Sequence, residues 1–404
     1  MKDWTWIDER IESCRPQLEA WFAEKRQQVP IPIYGSVDVR DAGWKVAAVD
    51  ANHFPAGFNN VPADDEERLA QLLREHILRS HAGAEWVHLY PESHTRNPGY
   101  VENLGTLLRL LEAGGFRATL GSAELNGIGS LTGLTGLVPV NDITHDDAGG
   151  LLVEGVVPDV VLLNNDLTTG LPAELNTSDV MPPAAMGWHR RRKSHHQAAL
   201  EPYVKEVASL LGIDPWHLMT EWFVSEDKCL DRETCRKRLA EEIDEFLVGI
   251  AAKYAVLGID QEPVAFVKND RGTYGLGIMA VRSGEELLAM SNRKMKRLMY
   301  AKGGAEVENF LIQEGVPTEI RSVDKASVLE PVVYLVDGEA ASWFYRANAE
   351  KGDLDNLNSP SSSFLHPKDV GDVARSRAHG RHALVAELSM LAMGAERLSA
   401  ARRT

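Results

Sequence analysis

Between residues 45 and 165 short apolar runs alternate with stretches of helical spacing, and this alternation limits the fold more than any other feature of the chain. The runs fall at 46–49, 86–90, 117–120 and 160–163, with helical spacing at 64–81 and 100–112 between the first three. Strands that alternate with helices imply a parallel sheet with helical cover. In such a sheet ligands gather at the carboxyl ends of the strands. Those ends are polar here. The first run leads into Asp50, Asn52 and the Phe58-Asn59-Asn60 turn, the second into Glu92, Arg96 and Asn97, and the last into Asn164, Asn165 and Asp166.

With 404 residues the chain is too long for one ordinary core. Near its start Trp4, Ile7, Ile11, Cys14, Leu18 and Trp21 recur at helical steps, interrupted at Pro16, with Ser13 expected to cap a second helix. A stretch rich in proline, threonine and serine at 171–183 suggests a linker. After it come a basic run at 188–196, a helix through Leu211 and another at 232–257. The remainder reads as strands at 264–267, 277–281 and 332–336 with helices at 284–300 and 368–400.

A net charge of -16 argues against whole-surface attraction to nucleic acid or anionic membrane. Three cysteines, none in a CxxC, make a disulfide framework or a structural zinc site improbable. The first residues lack the basic start and apolar run of a signal peptide, and no stretch approaches the ~20 apolar residues of a membrane span. A cytoplasmic protein is expected.

The segment richest in chemistry is 263–278. A strand ends in Lys268, and a turn containing Gly272, Thr273, Tyr274, Gly275 and Gly277 leads back into a second strand. A nucleotide needs a fixed cation near its phosphates and a backbone that can approach closely with N–H groups toward oxygen. The lysine and the glycines supply both. The pattern is not GxxxxGK[ST] and no helix follows the glycines, so a Walker-type site fits poorly. A plain hairpin with a glycine-rich turn is the bland alternative. Further on, an apolar strand runs into Gln313-Glu314-Gly315-Val316, which can offer backbone groups to an adenine edge and a carboxylate to a ribose; alone, a strand end and turn explain it more simply. A hairpin with an Asp337-Gly338 turn then delivers Arg346 and Asn348 on its returning strand. A fixed arginine there can neutralise a γ-phosphate or an acylphosphate, or can be merely a surface cation.

The order of these parts resembles the ATP-grasp fold, and the glutathione synthetases within it: a strand lysine, a glycine-rich lid, a Gln-Glu hinge, a hairpin with arginine and an asparagine-containing loop, here Asp355-Asn356-Leu357-Asn358-Ser359-Pro360. Lys193, on a loop entering a helix, matches by position an earlier lysine that contacts the nucleotide in that family. The likeness covers roughly 188–364. More narrowly, the whole chain resembles a proteobacterial branch of glutamate–cysteine ligases built on ATP-grasp, through Ile31-Pro32-Ile33-Tyr34-Gly35-Ser36-Val37-Asp38-Val39-Arg40-Asp41, through Val49-Asp50-Ala51-Asn52-His53-Phe54-Pro55-Ala56-Gly57-Phe58-Asn59-Asn60, and through 266–278.

The resemblance implies an α/β fold with an N-terminal parallel substrate-binding domain (1–185), followed by an ATP-grasp domain in two α+β subdomains (186–315 and 316–404). It implies glutamate, cysteine, ATP and magnesium as ligands. Lys193, Lys268, Gly272, Thr273, Tyr274, Gly275, Gly277, Gln313, Glu314 and Val316 would then hold the nucleotide, with Arg346 stabilising the acylphosphate and the 272–277 loop closing against water. ATP-grasp enzymes usually take metal ligands from a strand after a late helix. Here the chain ends in the helix at 384–404, so Asp355 and Asn356 are the expected ligands, with Asp353 and Asn358 beside them. Arg40, Asn52, Asn59, Asn60 and Arg96 are candidates for binding amino-acid substrates, and Asp38 or Asp50 for a substrate ammonium.

Other readings fit less well. Gly127-Ile128-Gly129-Ser130-Leu131-Thr132-Gly133 approaches GxGxxG but has threonine where the third glycine belongs. His189, His195 and His196 sit among cations, a poor setting for metal ligation, and the same basic run is a weak signal for nucleic acid. Two alternatives stay open: an ATP-grasp ligase joining a different amino-acid pair, and a nucleotide-binding regulatory module without turnover.

Overall fold

A computed structural model describes residues 4–92, 95–226, 230, 232–271, 277–299, 309–358 and 361–401. The chain opens with two helices, α1 (Trp6–Ser13) and α2 (Arg15–Gln28), whose buried stripe is Ile7, Ile11, Leu18 and Phe22. Pro16 sits in the first turn of α2, where its missing N–H has no partner to lose. Ser13 does not cap α2. It closes α1 and donates to the Arg10 carbonyl at 3.0 Å, while Cys14 holds the cap position.

Strands β1 (Tyr34–Asp41) and β2 (Val46–Asn52) follow, then α3 (Glu66–Ser80), β3 (Trp86–Pro91), α4 (Pro98–Ala113) and β4 (Arg117–Leu120). Two small hairpins intervene, Ser130–Thr132 with Leu137–Pro139 and Ile143–His145 with Leu151–Val153. Next come β5 (Val160–Asn164), β6 (Val180–Met181), α5 (Lys193–Leu211), β7 (Trp222–Ser225), α6 (Glu233–Leu257), β8 (Ala265–Asn269) and β9 (Ile278–Val281). The chain continues through α7 (Gly284–Leu288), α8 (Asn292–Met299), β10 (Phe310–Glu314), β11 (Val328–Val336), β12 (Glu339–Asn348), β13 (Ser363–Leu365), α9 (Asp372–Arg377) and α10 (Ala383–Ala401). The segment expected as one helix at 284–300 breaks between α7 and α8, and the one at 368–400 is interrupted by a π-helical turn at Ala378–His382.

The result is a mixed α/β fold. A parallel sheet runs β6-β5-β3-β4, with α3 and α4 packed together over Val87, Leu89, Leu120, Val160 and Leu162. The stretch at 171–183 is more than a linker, since Val180–Met181 forms the edge of this sheet. The run at 46–49 does not join it. That run belongs to β2, in an antiparallel sheet of order β13-β12-β11-β1-β2. The reason is the turn that precedes it: Ala42 donates to the Lys45 carbonyl at 2.9 Å, and Gly43 takes φ +79°. So short a turn can join only antiparallel neighbours, because a parallel pair needs a crossover of a dozen residues. Gly43→Ala is expected to cost about 1–2 kcal/mol, from the left-handed backbone and a Cβ 2.7 Å from Glu319 Oε1. The midpoint of denaturant unfolding should fall with its slope unchanged.

The antiparallel sheet takes β1 and β2 from the first 185 residues and β11–β13 from the last ninety. Alternation along its strands makes two faces. Val37, Val39, Val333, Leu335 and Trp343 pack under α10 and α5. Tyr34, Val332, Tyr334 and Phe344 meet α3 and α4 on the other face. Further along that second face the apolar residues give way to Asp38, Arg40, Glu330 and Arg346, all nearly buried or half-buried. A third, antiparallel sheet, β7-β10-β8-β9, is covered by α6, α7 and α8.

Candidate active site

Lys268 lies near the end of β8, 5% exposed, and its Nζ donates to the Val49 carbonyl of β2 at 2.9 Å. Burial pushes its pKa down to about 8, with Asp50 pulling upward and Lys193 downward. Lys193 opens α5. Asp270, just beyond β8, holds that helix start: its carbonyl accepts from Lys193 N at 2.9 Å and its carboxylate from Ser194 N at 2.7 Å. The Lys193 ammonium reaches Asp50 Oδ1 at 2.6 Å and stands 4.8 Å from the centre of the Trp188 ring. Burial pushes the Asp50 carboxyl up, but Lys193 and Lys268 outweigh it and hold the pKa below its ordinary value.

On the same sheet face two arginines share one carboxylate. Glu330 and Arg346 are direct partners across β11 and β12 and are ion-paired. Arg40 Nε donates to the other oxygen of Glu330, while its terminal nitrogens donate to the carbonyls of Asp353 (2.8 Å) and Asp355 (2.7 Å). Arg346 also grips Asp38 at 3.0 and 3.3 Å. Burial raises the Asp38 pKa in spite of Arg346, whereas at Glu330 burial is outweighed by Arg40 and Arg346 and the pKa falls. Arg346 is pushed upward because Asp38 and Glu330 overcome its desolvation.

Two cavities meet over this floor. The smaller gathers Lys268, Gln313, Glu314, Val316, Arg40 and Asn356 around Phe266 and Ile278. The larger, about 1360 Å³, gathers Asn52, Asn59, Asn60, Arg96 and Arg346, with Glu92, Glu124 and Asp166. Asp38, Asp50 and Asn358 line both. Lys193 borders an adjoining crevice with Asp50 and Trp188.

Several predicted residues carry attachments that sequence does not show. Glu314 turns its carboxylate to the buried Lys45 and to Glu221 N (3.0 Å), and Gln313 donates to Thr220 Oγ1 at 2.9 Å. Arg40 is held by Glu330 and the two loop carbonyls. Asn52 forms a local turn with both backbone groups of Phe54, and Asn59 donates to Asn60 Oδ1 at 3.4 Å. Arg96 stands exposed at the cavity mouth. Asp355 accepts from Gly352 N at 2.8 Å, and Asn356 accepts from Asn358 N at 2.9 Å. Gly272, Thr273, Tyr274 and Gly275 lie outside the described residues, and Gly277 takes φ +70° at the start of the returning strand. Glu330 is not among the residues the sequence singles out; its signal is an acid inside the otherwise apolar run of β11, where burial demands a cationic partner.

The competing readings lose ground. Arg191 points inward, 5% exposed and bound to Glu396 (2.9 and 3.1 Å), and His196 Nδ1 donates to the same carboxylate at 2.6 Å. The glycines at 127–133 flank the first strand of a short antiparallel hairpin and open no helix. Among the described residues no group of three His, Cys, Asp or Glu side chains is placed to hold a metal by itself, and no helix is long and apolar enough to cross a membrane.

A model of the glutamate–cysteine ligase family matches residues 8–396. The chain belongs to this family. A crystal structure from Methylobacillus flagellatus KT, provisionally described as a gamma-glutamylcysteine synthetase, is 31% identical, with 97% of this chain and 95% of that one covered at a TM-score of 0.88. A glutathione synthetase like-effector (GSS30) from Globodera pallida is 9% identical over 85% of this chain and 81% of that one, with a TM-score of 0.40, and is too distant to bear on the argument. Among curated proteins none matches the chain. Membership makes the chain a glutamate–cysteine ligase, an enzyme acting on small-molecule substrates.

Proposed function

We propose that the chain forms γ-glutamylcysteine from glutamate and cysteine through a γ-glutamyl phosphate, on an ATP-grasp framework. The observation that carries this reading is the meeting of the two cavities: a slot holding Lys268 opens beside Arg346 into a cavity roomy enough for two amino acids. ATP would enter at the slot and extend into the cavity beside it, with Lys268 and Lys193 toward its phosphates and Phe266, Ile278 and Val316 against the base. A γ-carboxylate oxygen of glutamate attacks the γ-phosphorus, and the bond to the β-bridging oxygen breaks, releasing ADP. The amine of cysteine then attacks the acyl carbon, phosphate departs with its oxygen, and the nitrogen sheds a proton. Arg346 neutralises charge on the acylphosphate, and exclusion of water protects the anhydride.

Magnesium fits the junction. Asp38 and Asp50 stand directly opposite across β1 and β2, already met by Arg346 and Lys193, and with the amide oxygen of Asn358 they offer oxygen donors at the junction. Asp38, Asp50 and Asn358, with Asn356 nearby, would hold the ion, which supplies positive charge to the phosphate oxygens. Asp355 lines neither cavity.

The test is ADP release from ATP and magnesium, with amino acids supplied singly and in pairs. The reading requires release that depends on glutamate and cysteine together. Release with another pair keeps the carboxylate–amine chemistry and discards this specificity. ATP binding without release under any mixture identifies a regulatory module.

A further inference from the structure

The lining of the large cavity changes character beside Arg346. Phe364 of β13 is the direct register partner of Arg346 on β12, and Phe344 lies two residues back along β12 on the same face. Register partners sit about 5 Å apart and alternate residues about 6.8 Å apart, so both aromatic side chains leave the sheet beside Arg346 on one face. The two rings meet edge to face with centroids 5.4 Å apart, and Tyr334 backs Phe344 at 5.4 Å.

Burial separates them. Phe344 is 3% exposed, while Phe364 is 49% exposed within the cavity lining. Among the described residues, Phe364 is the one aromatic side chain among the large apolar groups left exposed. Edge strands ordinarily meet solvent with charged or polar side chains. A ring left open at this edge, inside a cavity and next to the arginine of the reacting centre, calls for an apolar ligand surface to cover it.

We propose that Phe364, backed by Phe344, forms the subsite for the side chain of the amine-bearing substrate and favours a small, soft, weakly polar group over a hydroxyl. The inference rests on the function proposed above and assigns part of its specificity to a named surface. The attacking nitrogen must reach the acyl carbon that Arg346 serves. In an α-amino acid the side chain starts two bonds from that nitrogen, which holds it within a few ångströms of the guanidinium, where Phe364 is the exposed apolar surface. A thiol gains polarizable contact with a ring edge. A hydroxyl surrenders water there, and the rings offer it no strong acceptor in return.

Phe364→Ala and Phe364→Leu are compared with the unaltered enzyme by ADP release, using cysteine, α-aminobutyrate and serine as the amine. In the alanine variant the KM for cysteine is expected to rise about tenfold or more, and in the leucine variant about threefold, as a lost hydrophobic contact predicts. The KM values for ATP and glutamate should stay within about twofold, since neither ligand touches this ring. The preference for cysteine and α-aminobutyrate over serine should shrink in the alanine variant. An unchanged KM for cysteine, or a rise shared equally by ATP and glutamate, overturns the subsite alone. No cysteine-dependent release by the unaltered enzyme overturns the proposed function and the subsite with it. The leucine variant keeps an apolar edge strand and carries the decision if the alanine variant folds poorly.

Discussion

Replacing Lys268 with methionine is expected to lower kcat/KM for ATP by about 10²–10³-fold, the scale for removing one preorganised group that meets developing charge. The protein should remain folded. Methionine has nearly the same length, and the ammonium it removes is costly to bury: desolvation already pulls the lysine pKa from 10.5 to about 8. Asp50 keeps its second cation, Lys193, at 2.6 Å. The lost contact is one donation to the Val49 carbonyl. Turnover should therefore collapse with little change in thermal midpoint, and a variant that keeps its kcat/KM would remove Lys268 from the reaction.

The same lysine fixes a pH dependence. Its folded pKa lies below its unfolded value, so the folded state binds the proton less readily. This group destabilises the fold fully below about pH 8, and the cost fades as pH rises toward 10.5. Activity runs the other way, because the phosphates need the ammonium. For the free enzyme, kcat/KM for ATP should fall as pH rises through about 8, and Lys268→Arg should remove that limb. Initial rates of ADP release on both sides of pH 8 check the sign.

Local chemistry made parts of this site legible. The Asp337-Gly338 turn, with both residues at positive φ, announces the β11–β12 hairpin that carries Arg346. Lys268, Gln313, Glu314 and Val316 converge on one cavity, because a lysine-tipped strand and a strand ending in Gln-Glu have few other ways to pack. Pairings across the length of the chain left no such trace. A four-residue apolar run looks the same whether its neighbour is parallel or antiparallel, and the partner of β1 lies nearly three hundred residues away. The attachment of Glu314 to Lys45, 269 residues apart, is invisible for the same reason. Arg40 shows the consequence. Its charge suggests a substrate contact, but the fold directs it to Glu330 and to the carbonyls of the loop that bears Asn356 and Asn358.

That arrangement places the largest expected loss of stability at Glu330. Glu330→Ala leaves two buried guanidiniums with one carboxylate between them, Arg346 keeping Asp38 and Arg40 keeping only loop carbonyls, and breaking such a pair from one side costs about 3–5 kcal/mol. A loss of that size is a large share of the ~5–15 kcal/mol that holds a domain folded. Glu330→Gln keeps the shape and one acceptor oxygen without the charge, so it should fall between. Burial raises the Glu330 pKa, but Arg40 and Arg346 outweigh it, leaving the folded value below the unfolded one. Its contribution is therefore present above the unfolded pKa of about 4.3 and is lost as pH falls, an acid limb that the alanine variant should lack. Arg40→Met tests whether the pair acts as a unit. If the cost at Glu330 arises from stranded guanidiniums, the double variant must lose less than the two single losses combined, because one orphaned charge has gone with its partner. Denaturant midpoints for the four proteins settle it, and strictly additive losses would show that Glu330 supports the sheet by packing and not by neutralising the arginines.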